Sequence, residues 1–470
     1  MSRTTFLYIL LLTTLISSCK KELNVYPTTS VVDGNIISDS ASARVVLNGV
    51  YYRLANAGTD YASNPSVLWA SVWEYLPSEF VGNVYYSYFL DDIYTYNFDY
   101  TSNYISGFWS YGYNLVNAAN GYIKNLNASN NISASAKKEL LAEGKFLRAF
   151  GNEMLLLCFG QYTDTTSKYG IILRNEFVSA ETITLPRNTV KECYDSILAD
   201  VDYAIENLPT SNSSKIYASK AAAKLLKARV LINRGSAADV ANVINITNDI
   251  IQNENSFSLE DSLKNIFLDK GLSSNEVILG IQPYSIQNWK FQIYQSYEQY
   301  TVTDSLVQRL IGDPRSNWYY KYDSYYSVNQ LTKYYNGDVI NLKQTTNSEI
   351  CYAMRLSEAY LLGAEAYSTQ GTDLASAKRL LMEVQKRSGI SNFTELNTIT
   401  NAATLKLKVI KEEMINFMSE NGSDWFALRR LPFNQIQTIN PYITDPNRLI
   451  LPIPYNEITR NNKVIQNPGY

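Results

Sequence analysis

Long stretches of the chain place apolar residues three or four positions apart, the spacing that puts them on one face of a helix. The segment 188–209, NTVKECYDSILADVDYAIENLP, has a capping box formed by Thr189 and Glu192, and it ends at Pro209. The segment 135–160, SAKKELLAEGKFLRAFGNEMLLLCFG, has the same periodicity. We predict a helix in each segment.

Two later segments, 219–253 and 351–389, look like copies of one helix pair. Aligning Gly235 with Gly371 superposes small residues where the two helices of each pair would cross, with a glycine turn between them. A repeated helix–turn–helix unit of this kind is typical of tetratricopeptide-like repeats. The pattern predicts an α-helical scaffold.

Other parts of the chain have no helical period and are rich in tyrosine, tryptophan, asparagine and serine. We call these two parts the first excursion, about 56–112, and the second excursion, about 257–348. Function is expected in such excursions, because long irregular segments on a regular scaffold are where binding residues concentrate. The remaining segments are predicted as helical scaffold in 38–55, 103–256 and 349–432, and a closing segment 433–470.

The N-terminus has the pattern of an export signal. Arg3 supplies a positive charge, residues 6–16 form a short apolar run, and Ser17 and Ser18 precede Cys19. The apolar run is too short to span a bilayer. We therefore predict a cleaved signal peptide 1–18, a lipobox whose Cys19 becomes the diacylated N-terminus, and one mature domain 19–470; the alternative is an ordinary signal peptide with a chance cysteine.

Composition excludes several classes of function. Of 470 residues none is histidine, which removes histidine triads, bases and metal sites, and the net charge of −3 without a basic stripe predicts no nucleic-acid partner. No nucleotide-binding, zinc or calcium-loop motif occurs, so no cofactor and no metal are expected. Cys158, Cys193 and Cys351 are far apart in sequence, and we expect buried free thiols. Tyrosine, at 38 residues, is the outlier.

Seven motifs are spread over nearly the whole mature chain. In chain order they are ELNVYPTT, WSYGYNLVNAANGYIKNL, AEGKFLRAFGNEMLLLCFGQY, ASKAAAKLLKARVLI, GDPRSNWYY, MRLSEAYLLGAEA and LPIPYNEITRNNKVIQNPGY. Together they resemble the motifs of the SusD/RagB family of outer-membrane glycan-binding lipoproteins. The resemblance implies a mostly α fold, a tetratricopeptide-like helical-hairpin scaffold of about four repeats whose loop and short-strand excursions form the ligand surface. It also implies glycan capture without catalysis at the cell surface of the outer membrane, and delivery to a SusC-like TonB-dependent transporter.

This sequence departs from the family pattern at two places. Phe159-Gly160 is not followed by the usual proline-containing stretch, and the family's Glu-Arg pair reads Glu412-Glu413, with Asn416 in place of the next glutamate. We expect these last residues to serve helix packing and a charge network.

A neutral sugar site is the chemistry that the excursions favour. A pyranose has an apolar face and a rim of hydroxyls, and rigid aromatic side chains beside short polar groups match both. The predicted ligand-binding aromatic residues, which lie outside helical pattern, are Trp73, Tyr85, Tyr86, Trp289 and Tyr294. The predicted hydroxyl partners are Asn83 and Gln292.

Two other functions stay open at this point. Without histidine, a hydrolase acting on glycosides would need a pair of carboxylates, and Glu74, Glu79, Asp91 and Asp92 lie near the aromatic residues. A lipid-anchored tetratricopeptide-like scaffold could instead bind a peptide or protein in its helical groove. The two binding hypotheses differ in where the ligand lies, in the helical groove or on the aromatic excursions.

Overall fold

A computed structural model describes residues 36–56, 69–283, 288–296, 298–337 and 342–470 of the chain. In these residues the fold is mostly helical. The helices of 13 residues or more are α1 (Ser40–Asn56), α2 (Trp69–Val81), α3 (Asn103–Ala128), α4 (Ala134–Phe159), α5 (Val190–Asn207), α6 (Lys220–Arg234), α7 (Ala237–Asn253), α8 (Leu356–Gln370), α9 (Leu374–Arg387) and α10 (Ala402–Asn416). Shorter α-helices span Leu263–Asn265, Trp289–Phe291, Asp304–Arg309, Thr394–Thr398, Ser423–Leu428, Phe433–Ile439 and Tyr455–Arg460. One-turn π-helices and 3₁₀-helices span Ile266–Lys270, Gly271–Ser273, Gln292–Ser296, Pro314–Asn317 and Pro446–Leu449.

The helices begin and end where the sequence indicates. Thr189 caps α5 with a complete capping box, in which its side chain accepts from the backbone N–H of Glu192 and the Glu192 side chain accepts in return. Gly235 ends α6 at φ +75° and Gly371 ends α8 at φ +76°, so both occupy the left-handed region that glycine adopts without strain. The equivalence of these two glycines, inferred from sequence, is confirmed.

The long helices pack as a series of pairs. α1 lies against α3, α4 against α5, α6 against α7, and α8 against α9. Neighbouring pairs also touch: α3 packs on α4, α5 on α6 and α7 on α8, while α10 packs on α8. The predicted fold class, a mostly α scaffold of helical hairpins, is confirmed.

Helix α2 lies inside the first excursion, where the sequence shows no helical period. The reason is burial on all sides, since every residue from Trp73 to Val81 is buried. A helix that is enclosed all round has no polar face and therefore no amphipathic period. Its interior contains Pro77, a further signal against a helix in the sequence.

Two small antiparallel sheets accompany the helices. One has the strand order β1 (Val84–Tyr86), β3 (Tyr300–Val302), β5 (Val328–Leu331) and β4 (Tyr320–Asp323), and the other pairs β2 (Val277–Ile281) with β6 (Cys351–Arg355). In the four-stranded sheet, Val84 lies opposite Val302 and Tyr86 opposite Tyr300. This sheet joins the two excursions, because β1 belongs to the first and β3, β4 and β5 belong to the second.

The residues that depart from the family pattern form the expected charge network. Glu412 binds Arg315, with 2.5 Å between Oε1 and Nη1, and Glu413 pairs with Arg430. The Asn416 side-chain oxygen accepts from Arg355, 2.9 Å away, and Arg355 also binds Glu420. Apart from Arg430, which is half-buried, all these side chains are buried, so each charge needs the partner that the fold supplies.

The closing segment crosses the end of α4. The Leu451 backbone N–H donates to the Cys158 carbonyl at 2.8 Å, and the Asn467 side chain donates to the carbonyls of Phe159 and Leu451. Tyr470 donates to the Ile450 carbonyl. The terminal peptide is thereby fixed to the helical scaffold.

Three further sequence predictions concern the cysteines, the signal peptide and membrane-spanning helices. Cys158, Cys193 and Cys351 are buried free thiols, as expected. The signal peptide 1–18 and Cys19 lie outside the described residues. In the described ranges no helix has the length and apolarity to cross a bilayer.

A candidate ligand-binding cleft

Exposed aromatic side chains gather in the loop that follows β1. Three consecutive residues there, Tyr88, Phe89 and Leu90, are 61%, 63% and 56% exposed. Tyr104, in the first turn of α3, is 43% exposed. Apolar side chains are normally exposed singly, so a group of this kind indicates a binding surface.

Short turns built by aspartate hold this loop in shape. The Asp91 carboxylate accepts the N–H groups of Ile93 and Tyr94 at 3.0 and 2.9 Å, and the Asp99 carboxylate accepts the N–H and the hydroxyl of Thr101 at 2.7 and 2.6 Å. Aspartate favours such local bonds because its short side chain reaches the backbone two or three residues ahead. Between the turns, Ile93 is buried and fixes the loop to the core.

A cleft of about 620 Å³ lies between this loop and the start of α3. Its aromatic lining comes from Tyr86, Phe89, Tyr104 and the buried Phe98. The polar residues that line it are Asp91, Asp92, Asn97, Asp99, Thr101, Ser102 and Asn103, and the aliphatic ones are Leu90 and Ile93. The cleft therefore combines exposed rings with closely spaced hydrogen-bonding groups.

The exposed rings stand on a buried aromatic base. The Tyr86 ring lies edge-on to those of Tyr88 and Phe89, with centroids 5.4 and 5.0 Å apart, and 5.6 Å from that of Tyr300. Tyr300 is buried and packs on Tyr75 at 4.2 Å. Contacts of this kind hold the exposed rings in place before a ligand arrives.

Two carboxyl groups meet beneath the cleft. Glu79, on α2, is fully buried; its Oε1 accepts the Tyr86 N–H at 3.0 Å, and its carboxyl shares a hydrogen bond with that of Asp91. Burial, followed by the charge of Asp91, raises the pKa of Glu79 well above its usual value. Burial therefore favours the protonated form of the pair, in which one carboxyl donates to the other.

Of the residues predicted from sequence, only Tyr86 lines this cleft. Tyr85, also on β1 and half-buried, contacts Tyr94, with 6.0 Å between ring centroids. Trp289 and Gln292, in the second excursion, are half-buried as well, and the Gln292 side chain donates to Asn288 at 3.2 Å.

The other three predicted residues lie in the protein interior. Trp73, at 5% exposure, packs on Phe108 at 4.5 Å, and Tyr294, at 0%, stacks on Tyr334 at 6.2 Å. Asn83, also at 0%, donates to Asp424 and accepts from Arg309. Their side chains have no face at the surface, so contact with a ligand there does not fit their positions. Long-range packing partners, which the sequence does not reveal, account for the difference.

Sequence reasoning missed Phe89, Tyr104 and Asn97, which line the cleft, and it named Asp92 only as a carboxylate of the hydrolase hypothesis. One signal was available, namely the run YYSYFLDDIYTYNFDYTS, in which aspartates alternate with aromatic residues at turn spacing. Of the carboxylates considered for hydrolysis, Glu74 is buried in an ion pair with Lys290.

A larger cleft of about 820 Å³ lies between Asp304–Arg309 and helices α9 and α10. Its lining mixes Arg309, Lys408 and Lys411 with acidic and aliphatic residues, and Phe393 is its aromatic residue. A single ring does not make a stacking platform for a sugar. The scaffold hypothesis would place its peptide ligand in this larger cleft, and this placement stays a prediction.

The described part of the chain contains no group of three or more Cys, Asp or Glu residues arranged to hold a metal ion.

A scaffold of helical hairpins that carries an aromatic and polar cleft on inserted loops defines a class of binding proteins. Comparison with known sequences identifies the family. A model described as "starch-binding associating with outer membrane" matches residues 40–232, and the SusD family model matches residues 282–470. The chain belongs to the SusD/RagB family.

Relatives and solved structures agree with this assignment. The chain is 23% identical to SusD-like protein P2 of Formosa agariphila over 421 residues, which covers 78% of this chain and 81% of that protein. A SusD superfamily protein of Bacteroides thetaiotaomicron has the same fold, with a TM-score of 0.75 and 20% identity over 92% of this chain and 100% of that chain. A laminarin-binding SusD-like protein has a TM-score of 0.72 and 17% identity over the same shares. The description of the matched model supports an outer-membrane location.

Proposed function

We propose that the protein binds an oligosaccharide in the cleft between β1 and α3 and delivers it, without cleaving it, to a SusC-like TonB-dependent transporter. The observation that carries this proposal is the set of rings, the half-buried Tyr86 and the exposed Phe89 and Tyr104, around closely spaced polar groups. Family membership and the laminarin-binding structural neighbour support a glycan as the ligand.

The chemistry of the cleft suits a sugar ring. Phe89 and Tyr104 offer apolar faces to the axial C–H bonds of a pyranose, and their loss of freedom on binding is small because each has only two side-chain torsions. Asp92 and Asn97, both exposed, are placed to accept and donate hydrogen bonds at the hydroxyl rim. Such polar groups fix orientation while the rings contribute contact area.

Binding rather than hydrolysis is favoured by the state of the carboxyl pair. Hydrolysis of a glycosidic bond needs two carboxyl groups that are separated by the bond they act on. Glu79 and Asp91 instead share a hydrogen bond with one another, and Glu79 is fully buried. A group in this position stabilises the loop and does not reach a substrate.

Two further parts of the proposal concern location and residues outside the cleft. We include anchoring through lipidated Cys19 and exposure at the cell surface in the proposal, and the signal sequence and the family's association with the outer membrane support both. Tyr85, Trp289 and Gln292, being half-buried and outside the cleft, stay predictions for additional ligand contacts.

The test of the site is a titration calorimetry panel on the lipid-free mature protein, with neutral oligosaccharides of different linkage. Once a ligand is found, Phe89→Ala and Tyr104→Ala are each expected to weaken it about tenfold, because each removes a stacking face worth about 1.4 kcal/mol. Tyr325→Ala is the matched control, since Tyr325 is 84% exposed in the hairpin between β4 and β5 and lies outside the cleft lining. Unchanged affinity in both cleft variants would disprove the site.

The anchor is tested separately. Cys19→Ala is expected to move the protein from the membrane fraction to the soluble fraction of the cells that produce it, because two or three acyl chains supply the attachment. Membrane association that persists in this variant would contradict the lipobox prediction.

A further inference from the structure

The carboxylates of the cleft are not matched by basic side chains. Asp91, Asp92 and Asp99 all line it, and within the described residues no lysine or arginine belongs to the lining. The excess is local, because the net charge of the whole chain is only −3. A field of one sign inside a cleft acts on every ligand that enters it.

The three carboxylates that line the cleft differ in burial and in hydrogen bonding. Asp99 is exposed, and hydrogen bonds from Thr101 lower the pKa of its carboxyl, so it is negative at neutral pH. Asp92 is likewise an exposed, solvated carboxylate. Asp91 is half-buried and shares its hydrogen bond with Glu79, and burial raises the pKa of both. At least two negative charges therefore face the ligand.

Two positive features lie nearby and do not cancel this charge. Arg448 is close to Asp99, but its guanidinium lies over the Tyr470 ring at 4.7 Å and donates to the Phe98 carbonyl, and it does not line the cleft. The N-terminus of α3 opens into the cleft at Ser102 and Asn103 and contributes roughly half a positive charge. The balance inside the cleft stays negative.

We propose that this cleft selects glycans by charge: it accepts neutral and amino sugars and rejects chains of uronic acids or sulfated sugars. The inference rests on the proposed glycan-binding function and narrows its ligand class. A uronate carboxylate or a sulfate brought among Asp91, Asp92 and Asp99 meets like charges at short range and loses its own hydration. A hydroxyl donates to the same oxygens, and the ammonium group of an amino sugar gains from their charge.

The experiment compares ligands that keep their sugar chain and linkages and differ in charge. The tightest neutral glycan of the panel is titrated against the lipid-free mature protein, beside the same glycan oxidised at C6 to the uronate, which keeps every linkage. Partly de-N-acetylated chitin oligosaccharides are compared with their fully acetylated forms. We expect oxidation to weaken binding about tenfold or more at low salt and de-N-acetylation to strengthen it, both less at 0.5 M salt.

Variants assign the effect to the carboxylates. Asp92→Asn/Asp99→Asn keeps the size and one acceptor oxygen of each side chain, and it is expected to bring the ratio of the affinities for the neutral and the oxidised glycan close to one, whatever its effect on the neutral glycan alone. Asp195→Asn, on the exposed side of α5, is the control and is expected to leave that ratio unchanged. Equal affinity for the neutral and the oxidised glycan would overturn the inference, and so would a loss that the double variant does not relieve. If only acidic glycans bind, the glycan-binding function stands and the charge selection fails; if no glycan of any class binds, both fall.

Discussion

The two excursions are alike in sequence, but the rings that border the cleft of the first are exposed, whereas the rings that surround buried charges in the second are enclosed. In the first, Phe89 and Tyr104 are exposed beside a cleft, whereas in the second, Tyr294 and Tyr334 are fully buried. Aromatic density is high in both. The density of aromatic residues in the sequence therefore does not determine whether a ring can bind a ligand. That depends on whether the ring is required for packing in the protein interior.

The second excursion needs its rings to enclose buried charges. Lys290 is fully buried, with its Nζ 3.0 Å from Glu74 Oε2, 2.9 Å from the Ile350 carbonyl oxygen and 3.6 Å from the centroid of the Tyr334 ring. An ammonium group in this position is stabilised by its carboxylate and by the negative face of the ring. The ring that covers the charge cannot also face a sugar.

A second buried lysine repeats the arrangement. Lys333 lies 2.6 Å from Glu420, donates to the Met418 carbonyl at 2.7 Å, and faces the rings of Phe267 and Tyr319 at 4.6 and 5.2 Å. Burial lowers the pKa of Lys333 to about 8, with Glu420 acting in the opposite direction. These contacts fix the second excursion to the helices.

The first excursion holds its loop by other means. Aspartate turns at Asp91 and Asp99 set the backbone, and Ile93 and Phe98 anchor it to the core. Phe89 and Tyr104, which flank these anchors in the sequence, stay at the surface, whereas Tyr96 between the anchors is buried. The comparison therefore predicts that variants of the second excursion change stability and variants of the cleft change affinity.

Lys290→Met gives the largest expected effect. It leaves Glu74 buried without its partner, and we expect the free energy of unfolding to fall by about 3–5 kcal/mol in a urea titration. The affinity of the protein that remains folded should not change.

Lys290→Met/Glu74→Leu is the matched control for this pair. It removes both charges and is expected to recover most of the loss, because the cost comes from the unpaired carboxylate. A loss below about 1 kcal/mol in the single variant, or no recovery in the double variant, would contradict the role given to this pair.

Trp289→Ala is the most direct test of the comparison between the two excursions, because the sequence predicts Trp289 as a ligand contact. The ring is half-buried and packs against the core, so we expect a loss of about 2 kcal/mol in the free energy of unfolding, and an affinity within about twofold of the native protein. A loss of affinity comparable to that of Phe89→Ala would extend the site to the second excursion and confirm the prediction from sequence. Calorimetry with the same glycan separates the two outcomes.

The sequence predicts the parts of the fold that depend on local spacing. Helices such as α5 and α6 have an exposed face, a cap and an end signal, so their pattern is readable. Helix α2 has no exposed face and escapes detection. Its burial results from contacts with elements far along the chain, as in the bond between Ser78 and Asp424.

The site was only partly predictable for the same reason. Tyr86 was found because it lies in a run of aromatic residues outside helical pattern, but the burial of Asn83 and Tyr294 depends on Asp424 and Tyr334, which local sequence does not reveal. Tyr104 was missed because it sits in the first turn of a helix, where the pattern favours packing. A cleft is defined by segments that meet in space, and single-residue patterns do not contain that information.

Glu298→Gln gives the smallest expected effect, and it tests the second excursion through the pH dependence of the free energy of unfolding. Burial, and then the charge of Asp323, raises the pKa of Glu298 to about 7. A carboxyl whose pKa is higher in the folded protein contributes stability that is complete below its unfolded pKa, about 4.5, and is lost as the pH rises through 7. Glutamine keeps the neutral state and can donate to Asp323, so the variant should equal the native protein at pH 4.5 and exceed it by about 1 kcal/mol at pH 8, a figure reduced for solvent screening.

The measurement is the difference in the free energy of unfolding between variant and native protein from pH 4.5 to 8, which cancels the other buried carboxyls that titrate in this range. Glu395→Gln, at a side chain that is 82% exposed, is the control and is expected to give no difference at any pH. Glycan affinity should stay the same in both variants, because neither residue lines the aromatic cleft. A flat difference for Glu298→Gln would place the charge of Glu298 in a well-solvated environment, and a change in affinity would connect the second excursion to the cleft through the sheet that they share.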